Sequence, residues 1–268
     1  MSDRIDVTIS GHVADVRMNR PDKLNALDAE MFEALVVTGR ELAKTRGVRA
    51  VVLSGNGRAF CAGLDFGSFM AMAAAGNGGP NLFHRTRESP ANLAQLAGYV
   101  WKELPMPVIA AVHGACYGGG LQIAAGADIR IVHPDAKLSV REMYWGLVPD
   151  MSGTRTLKHV LREDVLKELT FTARIVGAAE AVALGLATRA AEDPLAAAME
   201  LAAQIAASSP TAMRAAKKLI GDTYRIPDDE TGLLLEENLQ KSVLRTPNQI
   251  EAVQSNLEKR PAAFTDPD

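Results

Sequence analysis

Between residues 4 and 19 apolar side chains recur at every second position: Ile5, Val7 and Ile9, then Ala14, Val16 and Met18 beyond a turn at Ser10-Gly11. Period two marks strands with one buried face, so a β-hairpin is predicted here. The period then lengthens. Met31, Leu35 and Leu42 fall near one face of a helix that Asp28 can cap. A short buried strand over 48–53 runs into the turn-rich SGNGRAF at 54–60. Residues 69–79 are rich in Ala, Met and Gly and read as a mobile loop or lid with some helix before it. A helix from about 88 to 103 follows, and LPMP at 104–107 stops it. Strands are predicted over 108–112, 128–132 and 137–140, then helices over 154–161, 165–172, 178–184 and 194–207.

Pro210 marks a boundary. Beyond it the segments 211–220, 230–244 and 247–260 are amphipathic helices without intervening strands. Strands alternating with helices first, and helices alone afterwards, predict an α/β core over 1–209 and a helical region over 210–268.

A chain of 268 residues, 47% hydrophobic, can bury a full core. Its net charge of −3 gives no general attraction to nucleic acid or to anionic membranes. Cys61 and Cys116 are its two cysteines, which excludes a disulfide framework and a CxxC metal site. None of His12, His84, His133 and His159 pairs at ligand spacing, so no metal is expected. The opening MSDRIDVTIS lacks the apolar stretch of a signal peptide and no run reaches membrane-spanning length, so a soluble cytoplasmic protein is expected.

The candidate chemistry lies in AAVHGACYGGGLQIAAGAD at 110–128. A strand runs into three glycines, Gly118 to Gly120, that open a helix. Unpaired N–H groups and the positive end of the helix dipole at such a junction suit an oxygen that becomes anionic. A second turn, at Cys61 to Asp65, follows the strand over 48–53. If the two strands are parallel neighbours, the N–H groups of Leu64 and Gly119 can converge on one oxygen. Losing one donor of such an oxyanion hole costs ~2.7–4 kcal/mol in the barrier.

The segments NRPDKLNAL at 19–27, GRAFCAGLDF at 57–66, PVIAAVHGACYGGGLQIAAGADIRI at 107–131 and REMYWGLVPDMSGTRTL at 141–157 together resemble the crotonase superfamily of enoyl-CoA hydratases and isomerases. ELTFTAR at 168–174, AVALGLATR at 181–189 and EKRPAAF at 258–264 extend the match over nearly the whole chain. The resemblance implies a spiral of ββα units with a C-terminal helical region, assembled as trimers or dimers of trimers. It implies an acyl-CoA thioester as substrate, no separate cofactor, and a carbonyl oxygen held by the N–H groups of Leu64 and Gly119. Carried over position by position, the CoA contacts are Lys23, Asn25, Ala62, Gly63, Leu64, Asp65, Phe66, Gly119, Gly120 and Lys259.

The chemistry shared by such enzymes is stabilisation of a thioester enolate beside a carboxylate that moves the proton. Hydratases of the family carry two glutamates. Here the second is Glu142, and the first position is Gln122, whose amide does not titrate. One base suffices to move a double bond, whereas water addition benefits from two acids. Asp150 sits where hydratases usually have glycine, and a loop acid there, like ELTFTAR, resembles the dienoyl-CoA isomerases. Those enzymes are acidic at the Gln122 position as well, so the match is partial. Glu142 and Asp150 could then accept and donate protons at opposite ends of a dienolate, unless Asp150 merely caps the helix near Ser152. Gln122 either bonds a water or the substrate or is a packed helix residue. The expected activity is a double-bond shift on an enoyl- or dienoyl-CoA. The alternatives are hydration of a 2-enoyl-CoA and a non-catalytic acyl-CoA-binding member.

Overall fold

Alternation at the N-terminus produces the hairpin of β1 (Ile5–Ser10) and β2 (Val13–Met18), paired antiparallel from Ile5↔Met18 to Ser10↔Val13. Its two-residue turn is Gly11-His12, one position later than the sequence suggests. Both residues have positive φ, 54° and 68°, the geometry that matches the twist of the strands. The computed structural model describes residues 3–74, 81–85 and 89–267.

Asp28 caps α1 (Ala29–Lys44), its carboxylate accepting from the Met31 N–H at 2.9 Å, and Met31, Phe32, Leu35 and Leu42 form the buried face. After β3 (Ala50–Gly55) and α2 (Phe66–Ala74) comes α3 (Leu93–Glu103). It starts later than the expected position near 88, because Asn92 and Gln95 form a capping box. The lid expected over 69–79 is helix as far as Ala74, and the remainder of that expectation lies outside the described residues. Next are β4 (Val108–Val112), β5 (Ala115–Tyr117), α4 (Gly119–Gly126), β6 (Ile129–Val132) and β7 (Lys137–Ser139). The single helix expected over 154–161 is instead α5 (Gly153–Thr156) followed by a 3-10 turn over Leu157–His159. The Thr156 hydroxyl bonds back to the carbonyls of Ser152 and Gly153, competing with the helix ladder there. Then come α6 (Glu163–Thr172), β8 (Val176–Gly177), α7 (Ala178–Leu184), β9 (Arg189–Ala190) and α8 (Pro194–Ala206).

Six strands form the main sheet in the order β1-β2-β3-β4-β6-β9, parallel throughout except for the β1–β2 hairpin. Period two divides its side chains between two cores. Val51 and Leu53 enter the larger core with α1 and α3, while Ala50 and Val52 face Ala198, Ala202 and Ala206 of α8. A second sheet, β5-β7-β8, stands beside the first. It was not foreseen at β5, where Ala115–Tyr117 reads as a small-residue turn.

Beyond Ser209, which caps α9 (Pro210–Thr223), lie α10 (Asp229–Val243) and α11 (Pro247–Glu258). This helical region is tied to the core rather than hung from it. Lys217 Nζ donates to the Asp128 carboxylate at 2.7 Å and the Met106 carbonyl at 2.9 Å. Arg49 binds the Asp266 carboxylate at 2.6 Å and the Phe264 carbonyl at 3.1 Å. Among the described residues no helix is long and apolar enough to cross a membrane.

Candidate active site

Parallel pairing of β3 with β4 sends both following loops to one sheet edge, and a local bridge then locks them together. Cys61 and Cys116 face each other as bridge partners: the Cys61 N–H donates to the Ala115 carbonyl and the Tyr117 N–H to the Cys61 carbonyl, each at 3.0 Å. Both thiols are buried, and burial pushes the Cys61 thiol up to about 12, which leaves it inert as a nucleophile. The turn after Cys61 needs Gly63 at φ 91°, and a Cβ there would lie 2.9 Å from the Tyr117 carbonyl and 3.8 Å from the Gly119 nitrogen. The two turns are therefore in van der Waals contact. Among the described residues neither the Leu64 nor the Gly119 N–H has a hydrogen-bond acceptor. Ala62, Gly63, Leu64, Gly118 and Gly119 line one cavity of about 160 Å³.

Glu142 reaches the same cavity from the other sheet. Pairing of Tyr117 with Ser139 sets β7 beside the glycine turn, and the chain then tightens into a 3-10 turn over Glu142–Trp145, closed by Gly146 at φ 70°. Arg141 donates to the Ala173 carbonyl at 2.9 Å and stacks on Tyr144, 4.0 Å from its centroid, so it makes no ion pair with Glu142. Glu142 is 8% exposed. Its Oε1 accepts from the Gln122 amide nitrogen, and its Oε2 is buried without a partner among the described residues. Burial raises its pKa and the Asp150 charge adds to the rise, against the opposing Gln122 amide and the main-chain N–H groups of Arg141 and Glu142.

The Gln122 side-chain carbonyl accepts from the Met151 N–H at 2.9 Å and the Gly153 N–H at 2.8 Å. Gln122 is 1% exposed and outside the cavity lining, packed in α4 as one of the two sequence alternatives has it, with its amide nitrogen on Glu142. Asp150 lines the cavity and opens to solvent, with partial desolvation raising its pKa. It does not cap α5: Ser152 occupies the N-cap position.

Of the other expected ligand contacts, Phe66 lines the cavity and packs on Trp145 with ring centroids 4.5 Å apart. Asn25 is fully buried, with Oδ1 accepting from the Arg20 N–H and Nδ2 donating to the carbonyls of Asn56 and Ala59. Its amide staples two loops together and spends both of its N–H donors within the protein. Asp65 also faces the protein. Burial alone would push its pKa up, but hydrogen bonds from Ser68 and Arg20 outweigh that and hold it at about 2. It anchors α2 through the Ser68 N–H and hydroxyl and pairs with Arg20 at 2.7 Å, outside the cavity lining. Gly120 also lies outside that lining, pressed on Cys61, where a Cβ would come within 2.4 Å of the carbonyl oxygen. Lys23 and Lys259 are exposed and end the Pro21–Lys23 turn and α11. Met151 and Leu147, part of the cavity wall, carry no signal in the sequence that marks them as lining residues.

Residues 8–267 match the family profile described as Enoyl-CoA hydratase/isomerase. The chain is 34% identical over 256 residues to the mitochondrial Delta(3,5)-Delta(2,4)-dienoyl-CoA isomerase of Mus musculus, a match covering 93% of this chain and 77% of that protein. It is 31% identical over 256 residues to the short-chain-enoyl-CoA hydratase of Clostridium acetobutylicum, covering 93% of each. The crystal structure of an enoyl-CoA hydratase from Bacillus anthracis superimposes with a TM-score of 0.85 at 28% identity, covering 98% of this chain and 99% of that one.

Proposed function

Since the chain belongs to the enoyl-CoA hydratase/isomerase family of the crotonase superfamily, whose members are enzymes acting on acyl-CoA, we propose that its reaction is a double-bond shift on an enoyl- or dienoyl-CoA with Glu142 as base. The observation that carries this reading is the state of one carboxylate: Glu142 lines the cavity with one oxygen tied to Gln122 and the other unpartnered. In the proposed reaction the thioester carbonyl oxygen accepts from the N–H groups of Leu64 and Gly119. The unpartnered oxygen of Glu142 takes a proton from the carbon chain, forming an enolate, and the proton returns at another carbon. For a conjugated dienolate, a protonated Asp150 on the same cavity delivers the proton at the far end, and the proton held by Glu142 then passes through solvent to restore the acid. The neutral amide at 122 supports a double-bond shift over hydration, because it offers no second proton acceptor for a water.

Ala62, Gly63 and Phe66 are proposed to follow the pantetheine and acyl chain, and Lys23 and Lys259 to meet CoA phosphates. An assembly of three or six copies belongs to the same proposal. It is supported by α9–α11, which leave Ile220, Tyr224, Leu233 and Leu257 exposed. The test is to offer 2-enoyl-, 3-enoyl- and 3,5-dienoyl-CoA and follow absorbance. A double-bond shift creates or extends conjugation in the second and third. Loss of the conjugated signal from the first alone would make the protein a hydratase. Three inert substrates with CoA still bound would make it a binding protein.

A further inference from the structure

We propose that Gln122 is a positioning residue that decides which oxygen of Glu142 moves the proton and ties that choice to the cavity floor. This rests on Glu142 being the base. The orientation of the Gln122 amide is fixed by its surroundings. Two main-chain donors, the N–H groups of Met151 and Gly153, converge on one end of it at 2.9 and 2.8 Å. That end is therefore the oxygen, and the end facing Glu142 is the NH2 group, which donates and cannot accept. Glu142 Oε1 is thus held as an acceptor of the Gln122 amide, while Oε2 has no partner among the described residues and is the oxygen proposed to take the proton.

The floor is fixed by the same side chain. Ser152, between the two donors, is a non-glycine residue at φ 72°, a strained conformation that persists where neighbours over-determine it. Gly153 leaves room for the amide: a Cβ there would stand 2.7–3.0 Å from Gln122 Oε1, Cγ and Cδ. Met151 and Asp150, which line the cavity, are carried by this strand of loop. One side chain therefore sets the separation between base and floor. The charged groups about Glu142 are Asp150 across the cavity and Arg141 beside it in the chain, the latter engaged with Ala173 and Tyr144.

Gln122→Glu isolates the bond to Glu142. The new carboxylate still accepts from Met151 and Gly153, but its other oxygen opposes Glu142 Oε1, and the two carboxyl groups must share a proton. Gln122→Met keeps length and removes all three bonds. Both variants, the parent and Glu142→Gln are assayed for double-bond shift across pH, with circular dichroism as the check on folding. Gln122→Glu is expected to lower kcat by about tenfold to a hundredfold, with KM within about twofold of the parent. Its acidic limb should move to higher pH. Gln122→Met, if it folds, should move the limb in the same direction, because a donor favouring the ionised carboxylate is gone. Should it not fold, Gln122→Glu decides alone. A parental kcat and pH profile in Gln122→Glu overturns the proposal, and so does a change confined to KM or thermal stability. A parent without double-bond-shift activity, or an active Glu142→Gln, instead overturns the reading on which it rests.

Discussion

Glu142 shows at the residue scale how one environment sets both reactivity and stability. The proposed base must be ionised to act, and this carboxyl is raised above its ordinary value by burial and by Asp150. Activity should therefore fall on the acid side at a pH above the ordinary glutamate value of about 4.3. Asp150→Asn removes a like charge, so a kcat/KM profile should show its acidic limb moved to lower pH. Glu142→Gln is expected to lower kcat by about 10²–10⁴. It should also stabilise the protein. A folded-state pKa above the unfolded one gives a contribution present at low pH and lost as pH rises through the folded value, so at pH 7 the ionised group is a net cost. Melting of Glu142→Gln at pH 7 should lie about 2–4 °C above the parent, with the gap closing as the pH falls. Asn25 behaves oppositely: Asn25→Ala leaves buried main-chain groups unpaired and should cost about 2–4 kcal/mol in a denaturant titration. A weakened CoA affinity in a variant of parental stability would restore the binding role that the sequence suggested. Asn25 and Asp65 show that a motif gives residue identity but not direction. The same short loop that approaches a ligand must also be pinned from behind, and these polar side chains face that way.

Among the elements, those with strong local signals were legible. The hairpin, α1 with its Asp28 cap and β4 follow from period and capping alone. Asp28→Ala removes that cap and its contacts with Arg4, at an expected cost of about 1–2 kcal/mol by chemical denaturation. Elements made by partners at a distance were not legible. Ala115–Tyr117 is a strand only because Lys137–Ser139 lies beside it, and three residues carry no period. The Cys61↔Cys116 bridge, which holds the two amide-bearing turns together, pairs residues 55 apart in the chain, and neither thiol advertises it. Gly63 is where this bridge becomes function. Gly63→Ala would strain a residue at φ 91° and press a methyl toward the Tyr117 carbonyl. It should therefore reduce double-bond-shift activity by at least about 10², measured against circular dichroism as a check on folding.

Taken as a whole molecule, the chain places the proposed base in the turn after β7 of one sheet and the proposed oxyanion donors on two turns, after β3 of the other sheet and after β5, so the site exists only when the two sheets are assembled. The alternation of strands and helices followed by helices alone was visible in the sequence, as was Glu142. The return of the C-terminal tail to Arg49 was not, because a single ion pair 217 residues apart leaves no pattern. The proposed assembly predicts a solution mass of three or six times 28.6 kDa by light scattering. A mass of one chain would remove the assembly from the proposal without touching the chemistry. The chemistry meets its most direct test in a substrate that can neither isomerise nor add water. A saturated acyl-CoA is incubated with the protein in D2O, and loss of the proton next to the thioester carbonyl is followed by NMR. Exchange by the parent and none by Glu142→Gln is the predicted result; no exchange by the parent, or undiminished exchange by the variant, would contradict enolate formation by Glu142.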